Sequence, residues 1–191
     1  MMDELVRRVR RRLGPYIYAE GAATMEEVVG RQLARLGVRL AVAESCTGGL
    51  IGHRLTQVPG SSAYLDRVAV CYSNRAKTEW LGVSERLLRK HGAVSAQVAA
   101  AMARGARVKS RVDIGLSVTG IAGPDGGTAQ KPVGLVYVGL DARPRQGVGS
   151  YSVTKACRFH GPREAIKLRA SQTALNLLRQ WLIADGKAAR S

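Results

Sequence analysis

Three short, predominantly apolar runs, 38–43, 67–72 and 112–118, constrain this chain more than any other feature, because each opens directly into a polar turn. They have the length of strands, and 38–43 reads as a short buried one. Helix-patterned segments separate them. Thr24 followed by Glu27 is a capping-box pattern, after which Val28, Val29, Leu33 and Leu36 recur at helical spacing as far as Gly37. Leu50, Ile51 and Leu55 define a helix that ends before Pro59-Gly60. Ser73 or Asn74 can cap a helix that carries Lys77 and stops at Gly82. Helices are expected over 84–90 and 95–109, the latter rich in alanine and so able to approach a sheet closely. Segments 132–140 and 150–159 read as a strand pair, and 163–182 as a long amphipathic helix.

This order predicts a three-layer α/β/α fold with a mixed β-sheet. We expect a basic N-terminal segment over 1–24, with 1–13 helical and Gly14-Pro15 as its break, one domain over 25–184, and a basic tail over 185–191. In such sheets ligands bind off the carboxyl ends of strands. Three polar segments fit that position: the turn after residue 43, the segment 72–77 and the glycine-dense loop 119–128.

At 191 residues with 46% apolar content, the chain has material for one full core. Cys46, Cys71 and Cys157 cannot all pair with one another, and no CxxC or Cys/His spacing suggests a metal. Cys71, within an apolar run, reads as a small buried hydrophobe. No leader-like apolar segment or 18-residue apolar stretch occurs, so we expect a cytoplasmic protein without a membrane partner. The net charge of +16 favours anionic partners. Arg7, Arg8, Arg10, Arg11 and Arg12 cluster at one end and Lys187 and Arg190 at the other, either as solubilising arms or as a nucleic-acid contact.

Chemistry concentrates in Glu44-Ser45-Cys46-Thr47-Gly48-Gly49. A serine between a strand end and a helix start is either a helix cap or an exposed nucleophile. In the second case the Cys46, Thr47 and Gly48 N–H groups are available to an oxyanion, and Gly48 and Gly49 permit close approach of a substrate. The serine needs a base, and His53, His91 and His160 are poorly placed for the role. Lys77 is either a solvated helix-face lysine or a base whose pKa is lowered by an apolar wall or by Arg75. Tyr72 could relay a proton or orient that lysine. The 119–128 loop could hold an anion on its amides but has neither Walker nor dinucleotide order. Asp125 alone does not make a metal centre.

Taken together, Ala43-Glu44-Ser45-Cys46-Thr47-Gly48-Gly49, Tyr72-Ser73-Asn74 with Lys77 and Leu81-Gly82-Val83, Gly92-Ala93-Val94-Ser95, Val118-Thr119-Gly120-Ile121-Ala122-Gly123-Pro124 and Lys131-Pro132-Val133-Gly134 resemble the CinA C-terminal domain family over about 25–182. The family's stand-alone members are nicotinamide-nucleotide amidohydrolases. The resemblance implies hydrolysis of nicotinamide mononucleotide to nicotinic acid mononucleotide and ammonia, without metal or other cofactor. It implies Ser45 as nucleophile and Lys77 as general base, with Tyr72 assisting. Cys46, Thr47, Gly48, Gly49, Asn74, Thr119, Gly120, Ala122, Gly123 and Arg163 would lie around the substrate. Pro162 and Lys167 stand where an acidic residue and an arginine are usual, and Arg163 and Lys167 remain available to a phosphate. A homo-oligomer, dimer or higher, is also implied. Two other readings compete: Cys46 as nucleophile with Glu44 as its carboxylate, its thiol acidified by the helix terminus, and a family member without catalysis that binds nucleic acid or another partner through its basic surface.

Overall fold

Strand β1, Leu40–Glu44, is buried along its whole length and lies between two parallel neighbours, β2 (Leu65–Val70) and β3 (Ile114–Gly120). β3 pairs antiparallel with β4 (Leu135–Ala142), and β4 antiparallel with β5 (Tyr151–Arg158), so the mixed sheet runs β2-β1-β3-β4-β5. The computed structural model describes residues 2–144 and 149–188.

Helices cover both faces. On one lie α2 (Met25–Leu36), α3 (Leu50–Thr56) and α7 (Arg163–Ala188). Val29 and Leu33, Ile51 and Leu55, and Ile166, Leu175 and Leu178 from these helices pack on Leu40, Val42, Ile114, Leu116, Val136 and Val138. On the other lie α4 (Asn74–Leu81), α5 (Glu85–His91) and α6 (Ala96–Ser110). There Leu81, Leu88, Val98, Met102 and Ala106 meet Ala41 and Ala43. Strand alternation therefore gives β1 a bulky face toward α2, α3 and α7 and an alanine face toward α6. The small face brings α6 against the backbone. A Cβ on Gly115 would lie 2.0 Å from the Ala103 carbonyl oxygen, and one on Gly105 2.1 Å from that of Leu81. One buried ion pair, Arg107 Nε to Asp141 Oδ1 at 2.5 Å, ties α6 to β4.

The helix punctuation matches the sequence reading. Thr24 and Glu27 form a reciprocal capping box, Ser73, Ser84 and Ser95 each accept from the backbone of the third residue on, and Gly37 and Gly82 close helices in the left-handed region. α1 (Met2–Leu13) is a helix followed by a 3-10 turn at Gly14–Tyr16, and its described side chains, Glu4 to Leu13, are exposed. Strand limits differ more. β1 and β3 start and end one or two residues later than expected, and β2 starts and ends two earlier, leaving Tyr72 beyond the strand. α7 continues through Ala188, past its expected end at 182 and the expected domain limit at 184, and Gly186 sits beside Leu36 of α2. Residues 189–191 of the expected basic tail, Arg190 included, lie outside the described residues. No helix among the described residues is long and apolar enough to cross a membrane.

Close packing of α6 makes Gly115→Ala destabilising by about 1–3 kcal/mol, as overpacking generally is. Gly14→Ala, where a Cβ meets nothing within 4 Å, should stay within about 0.5 kcal/mol. Urea unfolding of both variants measures the difference.

Candidate active site

The carboxyl ends of the three parallel strands converge as strand order requires: Ser45 follows β1, Cys71 and Tyr72 follow β2, and Thr119 and Gly120 end β3. Of these, Ser45, Tyr72, Thr119 and Gly120 line a pocket of ≈ 260 Å³ together with Lys77, Ala122, Gly123 and Arg163.

Lys77 forms the floor. It lies one turn into α4 and four residues before Leu81, the two buried positions of that helix, so it occupies the stripe facing the sheet rather than the solvated face. Only 1% of its surface is exposed. Its Nζ lies 3.1 Å from Ser45 Oγ, 2.8 Å from the Cys71 carbonyl oxygen and 3.3 Å from that of Tyr72. A neutral amine has two N–H donors and one lone pair. It can donate to both carbonyls and accept from the Ser45 hydroxyl, so these three neighbours accommodate the unprotonated amine as well as the ammonium, which would donate to all three. Burial pushes Lys77 below its ordinary value of 10.5. Arg75, a candidate cause from sequence, points outward with Glu79 Oε1 3.9 Å away; desolvation is the leading cause.

The turn after β1 differs from the sequence expectation in its donors. Ser45 N–H donates to the Val118 carbonyl at 3.0 Å, which fixes the serine between β1 and β3. Gly48 N–H closes onto the Ser45 carbonyl at 3.1 Å, so it is taken within the turn and does not point at an oxyanion. The first turn of α3 is occupied as well. Glu44, fully buried, accepts from Gly49 N–H (3.0 Å), Ile51 N–H (3.2 Å) and Gly52 N–H (2.9 Å). The remaining candidates are the Cys46 and Thr47 N–H groups, for which no backbone or side-chain oxygen acts as acceptor among the described residues.

Cys46 also departs from expectation. Its thiol is pushed up to about 12, by burial first and with the Glu44 charge acting in the same direction. A helix terminus already neutralised by a carboxylate cannot acidify a thiol, so Cys46 stays protonated at neutral pH. Glu44 is engaged with α3 rather than poised as a partner for that thiol.

The other residues separate into those at the pocket and those behind it. Thr119 lines the pocket with its hydroxyl donated to the Ala93 carbonyl at 2.9 Å. Arg163 bridges the mouth, with Nη1 on the Gly123 carbonyl (2.6 Å) and Nη2 on the Tyr72 hydroxyl (3.1 Å). Tyr72 thus holds Lys77 through its backbone oxygen, while its phenol, 62% exposed as a residue, belongs to the rim. Thr47 is buried behind the turn with its hydroxyl unpartnered among the described residues. Gly48 and Gly49 have φ of +63° and +96°, a path open to few other residues, and the open side of Gly48 faces Lys167 Nζ. Asn74 lies away from the pocket, exposed at the start of α4 beside another surface hollow. Ala93, Val94, Asp125 and Gly126 line the pocket without having been assigned a substrate contact from sequence, and Ile121, within the loop expected against the substrate, lines it too. Glu44 was readable from sequence as a carboxylate in the turn and a partner for Cys46, with no signal that it accepts from the start of α3. Among the described residues no group of three His, Cys, Asp or Glu side chains could hold a metal.

Comparison with known proteins places this geometry. A model of the CinA C-terminal domain family matches residues 22–182. A CinA-like protein of Geotalea uraniireducens is 50% identical over 177 residues, 92% of this chain and 40% of that protein. A CinA-like protein of Dictyoglomus turgidum is 46% identical over 183 residues, 96% of this chain and 43% of that protein. The chain therefore spans less than half the length of these relatives. The crystal structure of the competence/damage inducible protein CihA from Agrobacterium tumefaciens matches with a TM-score of 0.75 at 40% identity, over 88% of this chain and 99% of that one. The competence damage-inducible protein A of Klebsiella pneumoniae matches with a TM-score of 0.77 at 32% identity, over 84% and 98%.

Burial of Lys77 links stability to pH. With its native value below 10.5, the unfolded chain holds more protons between the two values, and stability rises with pH across that window. The stability linked to Lys77 is complete above 10.5 and lost as pH falls through the native value. Urea unfolding from about pH 7 upward should show this rise in the wild type and its absence in Lys77→Met; parallel curves would refute it.

Proposed function

This chain belongs to the CinA C-terminal domain family, and from that premise we propose that it is a nicotinamide-nucleotide amidohydrolase using a serine–lysine pair. The observation that carries the reading is the buried Lys77 amine 3.1 Å from Ser45 Oγ. An amine whose proton affinity burial lowers can act as a general base without a histidine or a metal.

In the proposed reaction neutral Lys77 takes the Ser45 proton as Oγ attacks the carboxamide carbon of nicotinamide mononucleotide. The oxygen of the tetrahedral intermediate accepts from the Cys46 and Thr47 N–H groups. Lys77, now an ammonium, returns its proton to the departing nitrogen as the C–N bond breaks, releasing ammonia and leaving an acyl ester on Ser45. Water then attacks the ester, giving its proton to Lys77, which passes it to the Ser45 oxygen as nicotinic acid mononucleotide leaves. Tyr72 acts in this scheme by orienting Lys77 through its carbonyl and by holding Arg163. Arg163 and Lys167, one turn apart at the start of α7, supply positive charge for the nucleotide phosphate.

A second reading has one observation in its favour. α1 presents its arginines to solvent, and Arg11 and Arg12 pair with no acid among the described residues. It therefore offers an anion such as nucleic acid a separate contact, compatible with amidase activity in the domain.

Ammonia release from nicotinamide mononucleotide should survive chelator, rise with pH through an apparent pKa below 10.5, and fall by at least about 10³-fold in Ser45→Ala and Lys77→Ala. Cys46→Ala should stay within about threefold, because its protonated thiol takes no part; loss of turnover there with retention in Ser45→Ala would overturn the serine assignment. If α1 binds DNA or RNA, affinity should drop steeply with salt and vanish on removal of residues 1–13, with turnover intact. Binding unchanged by that truncation would exclude the arm.

A further inference from the structure

We propose that Glu44 is the positioning residue of the nucleophile: its buried carboxylate takes the N-terminal donors of α3 so that the turn carrying Ser45 is held against Lys77. This rests on the serine–lysine reading and adds to it a residue that touches neither the substrate nor the base.

The need arises in the turn itself. Helices are usually capped by a Ser, Thr, Asp or Asn at the N-cap, and α2, α4, α5 and α6 are capped in this way. The N-cap of α3 is Gly49, which has no side chain to offer and sits at φ +96° next to Gly48 at +63°. A turn tight enough to point Ser45 at the pocket thus excludes the ordinary capping residues from the place where a cap belongs. The Ile51 and Gly52 donors are buried and that of Gly49 is part-buried, and leaving a buried donor unpaired would cost about 1–3 kcal/mol. Glu44 meets them from five to eight residues upstream, with one oxygen on Gly49 and Ile51 and the other on Gly52.

Glu44 is itself fixed at both ends. Its carbonyl accepts from Cys71 N–H at 2.8 Å, and the next residue donates to Val118 at 3.0 Å. The sheet therefore holds the start of the turn, and the carboxylate holds its end to the same residue. Among the described residues no cation pairs with Glu44, so its charge is met by backbone donors at a helix terminus. The carboxylate closes the turn from Glu44 to α3 and the Gly48 N–H to Ser45 carbonyl bond closes its middle, so the Ser45–Lys77 distance depends on both.

Glu44→Gln keeps the length but offers one acceptor oxygen, so at least one of the three bonds must go. The variant should remain folded, with faster amide hydrogen exchange at Gly49, Ile51 and Gly52. Its kcat should be about tenfold to a hundredfold lower, the size expected of a small displacement of reacting groups, with KM little changed. Ser45 labelling by a fluorophosphonate should slow to a similar degree. Because labelling needs no substrate, failure of the substrate assignment would be distinguishable from failure of this one. Labelling and kcat at wild-type level in Glu44→Gln would overturn the proposal. So would an equal loss in Gly115→Ala brought to the same thermal stability, since that would mark the effect as general loosening.

Discussion

Burial of the Lys77 amine is the constraint on which the rest of the site depends. A long cationic side chain inside the domain is unfavourable unless its polar head is fully met, and here three oxygens meet it from two strands. Ser45 leaves β1 and the Cys71 and Tyr72 carbonyls leave β2, so the parallel register that pairs Glu44 with Val70 also sets the geometry around the amine. The desolvation that makes this lysine expensive lowers its proton affinity. The property that weakens the fold is therefore the one that the proposed base requires, a trade of stability for reactivity that functional sites commonly show.

The two faces of the sheet serve that site differently. The bulky face, under α2, α3 and α7, carries most of the large side chains and supports α3, whose start anchors the serine turn. The alanine and glycine face lets α6 lie almost on the backbone. That closeness brings the Ala93 carbonyl to Thr119 and packs α4 against α6 so that Lys77 points inward. The long β3–β4 connection then folds over the strand ends, where Arg163 ties the Gly123 carbonyl to the Tyr72 hydroxyl. Three segments far apart in sequence are joined at the mouth by a single guanidinium.

Local chemistry was legible where it is local. Thr24 with Glu27, the serines at 73, 84 and 95, and Gly37 and Gly82 mark helix limits because each satisfies backbone groups within one turn of itself. Strand limits were less so. Val38 and Val112 are apolar and buried yet precede their strands, since apolarity reports burial while strand pairing is fixed by neighbours. The competing reading of Cys46 met the same limit. Nearness to a helix start is visible in sequence, whereas the burial that pushes the thiol up, and the Glu44 carboxylate that fills the terminus, are not.

From the sequence alone came the layers, the caps, and the three strand ends where a site had to form, together with Ser45 and Lys77 as candidates among bland alternatives. Tertiary structure decided between the alternatives. It turned Lys77 onto the buried stripe with Leu81 and moved Asn74 away from the pocket. It also assigned the donors of the α3 terminus to Glu44, leaving the Cys46 and Thr47 amides without an oxygen acceptor among the described residues. The physical reason is that caps and periodicity act within one turn of the chain, whereas desolvation, pKa and competition for a hydrogen-bond donor depend on everything packed around a group.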